Sequence, residues 1–171
     1  MREILFRGKR VENGEWVYGN LIEDKWGDDN GNTIYAILQD RVAPDIAELW
    51  TPVRVIPETV GQFTGLYDNK GTRIFEGDIV KDEGLEYRLL GDTRKGNRSG
   101  IAIVKHGFHS VPSGDPFEWG EAYGFYFNGD TLYPTPAQYK PYCEGKGKQF
   151  GFEVIGTIYD NPELLEEEAE E

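Results

Sequence analysis

Near the start of the chain, apolar positions alternate with polar ones at the period of a half-buried strand. Ile4 and Phe6 stand between charged neighbours, and the polar stretch Arg7 to Arg10 leads to Val11. Asn13-Gly14 is a strong short hairpin signal, with Trp16 to Ile22 as the returning strand. Asp28, Asp29, Asn30, Gly31 and Asn32 mark the next turn, and Thr33 to Leu38 supplies a third strand. The pattern predicts an antiparallel β-meander over residues 1–56. Pro44 interrupts the segment Arg41 to Thr51, which reads as an irregular linker that tucks Trp50 against the core.

From Val55 to Val80 three turn signals and three short apolar runs follow closely. Pro57 cannot donate to a sheet ladder and holds Ile56 extended, so the strand Val53 to Ile56 ends there and a turn runs through Pro57, Glu58 and Thr59. Val60 to Leu66 carries Gly61 and Gly65, which predicts a sharply bent strand. Asp68, Asn69, Lys70 and Gly71 form a loop, with Gly71 suited to positive φ, before Arg73, Ile74 and Phe75 return as the hairpin partner. Glu76, Gly77 and Asp78 make a second tight turn into Ile79 and Val80. A Gly-Asp-x-Val turn into a strand suits the kinked, strongly twisted strands of a small SH3-like barrel.

Further along, strands are expected at Tyr87 to Leu90, at Ile101 to Lys105 with extension toward Phe108 and Val111, at Tyr123 to Phe127, and at Phe152 to Tyr159. The segment Gly91 to Gly100 has no apolar residue and reads as a mobile hairpin tip, while Pro134 to Gly151 is a long irregular excursion. Asn161 is placed to cap a short helix begun by Pro162, with Glu163 and Glu166 near the positive end of its dipole.

The segments ETVGQ (58–62), TGL (64–66) and EGDIV (76–80), with FEVIGTIY (152–159) and the following DNPELL, resemble the YopX family of prophage-encoded proteins. The match is close over Val55 to Val80 and Val154 to Leu165 and looser in the first strands. The resemblance implies that the late strand and short helix close the second domain, and it supports an SH3-like barrel there. The expected organisation is a meander over 1–56, a barrel over 57–160 with an insertion at 82–151, and a short helix with an acidic tail over 161–171. The resemblance implies a phage or prophage accessory protein and no particular activity.

Composition agrees with a mainly β protein. Of 171 residues 38% are hydrophobic and 13% aromatic, and 22 glycines with 9 prolines favour turns and short strands over long helices. The single cysteine, Cys143, excludes an intrachain disulfide framework and fits a reducing compartment. No apolar run approaches the ~18 residues of a membrane span, and MREILFRGKR lacks the apolar stretch of a signal peptide, so the cytoplasm is expected.

Net charge is −13, and PELLEEEAEE at the end holds six glutamates and no cation. Such a run is ordinarily a solvated, fraying end; the sharper alternative is a surface that imitates nucleic acid to occupy a DNA- or RNA-acting enzyme. The acidic balance argues against direct nucleic-acid binding. Arg88, Arg94, Lys95 and Arg98 form a cationic tip, for which a solvated loop competes with a partner or phosphate contact.

No residue pattern specifies a catalytic, cofactor or metal site. His106 and His109 lie in a strand context, where a spacing of three puts the rings on opposite faces and disfavours shared metal ligation. Glu76 and Asp78 flank Gly77 as a conceivable acid and base, although an Asp in a tight turn ordinarily bonds its own backbone. Cys143 has only Lys140 and Lys146 nearby to lower its pKa. Tyr123, Phe125, Tyr126, Phe127, Tyr133, Tyr139 and Tyr142 would serve as a nucleic-acid stacking platform only beside a basic groove. Lys140, Lys146 and Lys148 are outnumbered there by Asp115, Glu118, Glu121, Asp130 and Glu144, so core packing and a subunit interface fit the rings better.

The functional expectation is a non-catalytic, self-associating binding protein, a homo-oligomer with a macromolecular partner. The alternatives are an acidic mimic acting on a host nucleic-acid enzyme and a hydrolase using the turn carboxylates.

Overall fold

The computed structural model describes residues 3–27, 30–39, 52–82, 101–112, 119–128 and 152–165. The expectations for Trp50, Tyr87 to Leu90, the cationic tip, Cys143, the rings of Tyr133, Tyr139 and Tyr142, and the glutamates after Leu165 lie outside these residues. The chain divides into two units, 1–65 and 66–171.

In the first unit β1 (Phe6–Lys9), β2 (Trp16–Asp24), β3 (Ile34–Gln39) and β4 (Val53–Arg54) pair in antiparallel sequence, the predicted meander. The first hairpin closes through a four-residue loop rather than a two-residue one. The Arg10 amide donates to the Glu15 carbonyl, the Gly14 amide donates to the Arg10 carbonyl, and the Asn13 side chain accepts from the Glu15 amide. Pro57–Thr59 forms a 3-10 turn where Pro57 was expected to stop the strand. The strand β5 (Gly61–Tyr67) then pairs with β1, Phe6 opposite Gln62. Val17, Ile37 and Val55 are the buried centre of this unit, with Phe6, Leu21, Tyr35, Val53 and Val60 packed around them.

The strand β5 runs past Gly65, which takes φ 85° at the expected bend, and precedes β6 (Arg73–Phe75). In the second unit β7 (Asp78–Asp82), β8 (Ile101–Pro112), β9 (Trp119–Asn128) and β10 (Phe152–Thr157) form a sheet in the order β10-β7-β8-β9, all antiparallel. Ile74, Val80, Ala102, Val104 and Phe127 form its core, flanked by Leu66 and Val154.

Two expectations change. The described strands form two open sheets, β4-β3-β2-β1-β5-β6 and β10-β7-β8-β9, with no closed barrel among them. The turn Glu76 to Asp78 separates β6 from β7, which pairs with β8 and β10 instead. At the end, where a short helix was expected, the described residues hold a 3-10 turn over Pro162–Leu165.

Candidate functional site

The site is built on β8 and β9, whose lengths differ sharply from that of their neighbour. β7 pairs with β8 only from Ile101 to Ile103, whereas β8 and β9 pair from Ile103 opposite Asn128 to Pro112 opposite Trp119. Among the described residues, Lys105 to Pro112 therefore pairs only with β9, a two-stranded ribbon about 25 Å long at the usual rise of a strand.

Alternation assigns its faces. Ala102, Val104, His106 and Phe108 share one face with Phe127, Phe125 and Tyr123 across the register. The near end of this face is core, since Ala102, Val104 and Phe127 are buried. Further out the same face emerges into solvent, with Phe108 73% and Tyr123 63% exposed. The outer rings pack on one another: His106 lies 4.6 Å from Phe125 and 4.9 Å from Tyr123, and Phe108 lies 4.9 Å from Tyr123 between centroids. This is a preformed aromatic patch whose outer surface is uncovered by the described residues.

On the opposite face His109 stacks on Tyr126 at 4.8 Å, and the intervening register position is the pair Gly107 and Gly124, which interposes no side chain. The two histidines thus occupy opposite faces, as their spacing predicts. No group of three or more potential metal ligands occurs among the described residues.

The turn carboxylates do not form an open pair. Asp78 is completely buried, and its Oδ2 accepts from the Phe75 amide at 2.7 Å, the bond to its own turn expected of it. The neighbouring Asp68 is the carboxylate whose role the loop pattern understated. Its Oδ1 accepts from the amides of Lys70 at 2.9 Å and Thr72 at 2.7 Å, and its Oδ2 from the amide of Val154 on β10 at 3.2 Å. Burial alone would push its pKa up, but the Thr72, Val154 and Lys70 amides and the Thr72 side chain outweigh that and hold it below the usual value. Beside it Lys70 pairs with Glu153. These contacts fasten the β5–β6 loop to β10 and carry no open chemistry.

In the first unit the Arg7 guanidinium sits 4.5 Å over the Trp16 ring, and the Lys9 ammonium 5.4 Å from it. The register, Lys9 opposite Trp16 and Arg7 opposite Tyr18, puts all four on one face. The sequence signal for this contact was the alternation of Arg7 and Lys9 opposite an aromatic strand.

Residues 5–166 match the model of the family described as YopX protein. The chain belongs to the YopX family. A search of curated proteins finds no match. Among solved structures, this YopX protein is similar to protein EF1440 from Enterococcus faecalis, at 21% identity over 96% of this chain and 99% of that one, with a TM-score of 0.47. No helix among the described residues is long and apolar enough to cross a membrane.

Proposed function

We propose that this YopX protein is a non-catalytic phage or prophage accessory protein of the cytoplasm that works by binding, and that it associates with itself through the β8–β9 ribbon. The observation that carries this is the exposure of Phe108 and Tyr123 on an already ordered aromatic face. Apolar rings grouped on one exposed face favour a protein interface, where aromatics are enriched and charge is depleted. The ribbon residues 101–112 and 119–128 contain one cation, Lys105, and one carboxylate, Glu121, in a chain of net charge −13. Two acidic copies can meet on such a neutral strip without opposing like charges. The inward commitment of Asp78 weighs against the hydrolase alternative, because a buried carboxylate bonded to its own turn has no access to substrate.

Light scattering at micromolar concentration is expected to show an oligomer. Phe108→Ser and Tyr123→Ser should each weaken association about thirtyfold, the effect of losing about 2 kcal/mol at an interface hot spot. Their circular dichroism should be unchanged, since both rings stand outside the core. A wild-type monomer at that concentration refutes self-association.

A further inference from the structure

We infer that protons control this self-association through His106: copies joined by the aromatic face of the ribbon come apart as His106 takes up a proton under mildly acidic conditions. This rests on self-association through the β8–β9 ribbon and names its regulation.

His106 stands within the aromatic patch. In the register it lies opposite Phe125, and the next pair outward on the same face is Phe108 and Tyr123. Its ring centroid is 4.6 Å from Phe125 and 4.9 Å from Tyr123. Like Phe108 and Tyr123, it is exposed. A second copy seated on those two rings therefore takes the imidazole out of water as well.

That loss of water separates the two charge states. A neutral imidazole enters an aromatic interface at little cost, whereas an imidazolium is costly to desolvate unless an anion meets it. Among the described residues, the other titratable groups on this face are Tyr123 and Glu121. A phenol carries no negative charge at mildly acidic pH. Glu121 is opposite Ser110, four residues along β8 from His106 and about 13 Å away at the rise of a strand. The residues packed at the core end of the face, Leu66, Ile74, Val80 and Val154, do not ionise. Lys105, His109 and Tyr126 have the opposite parity and face away. The Phe125 and Tyr123 rings do attract an imidazolium. Those contacts already exist within one copy, before and after association, so they give the associated state no advantage.

The neutral form is thus the one that associates, and association is present above the histidine titration range and lost as pH falls through it. With the ordinary histidine pKa of about 6.5, moving from pH 7.5 to 5.5 cuts the neutral fraction about tenfold in each copy, and about hundredfold for a pair in which both must be neutral.

The test is the dissociation constant of the full chain, from light scattering over a dilution series at pH 7.5 and 5.5 and fixed ionic strength, for wild type, His106→Phe and His109→Gln. Phenylalanine keeps a ring in the patch and removes the titration. His106→Gln, equally neutral, takes its place if the phenylalanine variant loses its fold by circular dichroism. Other groups of this chain of net charge −13 change protonation over the same range, which lowers repulsion between copies in all the proteins alike, so the His106 variant is the reference. From pH 7.5 to 5.5, wild type and His109→Gln should weaken by about tenfold to hundredfold more than that reference. An oligomer whose pH response matches the reference, or that tightens relative to it, overturns proton control and leaves self-association intact. Loss of the response in His109→Gln also overturns it, because the charge would then act from the other face. A wild-type monomer at micromolar concentration and pH 7.5 overturns both.

Discussion

Asp68→Ala is expected to destabilise the second unit by about 3 kcal/mol, since hydrogen bonds to a charged group contribute about 1.5–3 kcal/mol each and are not additive. The carboxylate is 1% exposed and receives the amides of Lys70, Thr72 and Val154. Alanine leaves those three donors without it. Two of the bonds shape the loop and the third reaches 86 residues along the chain to β10, so the loss should spread beyond the turn. Exposed Lys70 and its partner Glu153 span the same gap, but a surface ion pair contributes at most about 1 kcal/mol and cannot substitute. Urea denaturation followed by amide exchange at β6, β7 and β10 measures the effect. A change below about 0.5 kcal/mol would show that the three amides find other acceptors.

Asp68→Asn separates charge from shape. The folded pKa of Asp68 lies below its ordinary value, so its charged form adds stability that is fully present above the unfolded pKa of about 3.9 and is lost as pH falls through the folded value. Wild type should therefore exceed Asp68→Asn at neutral pH, and the difference should shrink below about pH 4. A constant difference from pH 7 to pH 2 would mean that the carboxylate's ionisation does not stabilise the fold.

The contrast between Asp68 and the ribbon shows what alternation and turn chemistry can specify. An Asp opening the sequence Asp-Asn-Lys-Gly predicts bonds to the next few amides, and Lys70 and Thr72 supply them. Val154 could not be foreseen, because the pairing that brings β10 to the loop is set by long-range packing. Likewise the odd-numbered rings Tyr123, Phe125 and Phe127 were assignable to one face by period alone. Their depth was not. Phe127 is buried and Tyr123 exposed because β7 pairs with β8 only as far as Ile103, a fact about a neighbouring strand rather than about the aromatic run. The described strands close no barrel, and the reason is related: local turns around Gly71 and Gly77 were read correctly, with φ of 85° and 82°, but turns do not determine which strand each run will join. The histidines were legible because their argument needed only parity.

Gly19→Ala should cost the first unit about 3 kcal/mol, at the upper end of overpacking effects. Gly19 lies in β2 opposite Gln39, within the longest pairing of that unit, and an added Cβ would stand 2.0 Å from the Leu38 carbonyl oxygen and 2.7 Å from its carbon. The obstacle is backbone, so no rotamer change relieves it. The strands must separate, weakening the ladder from Gly19 to Asp24 that holds β3 on β2, and with it the burial of Ile37. Gly14→Ala is the internal comparison. Its φ is 73° with nothing within 4 Å of an added Cβ, so it bears only the left-handed backbone penalty, about 1 kcal/mol. Amide exchange at β2 and β3 should rank the two variants in that order, and Gly19→Ala should accelerate β3 most. Equal effects would mean that β2 and β3 have slack enough to admit a methyl group, and that Gly19 is present for some reason other than the close approach of Leu38.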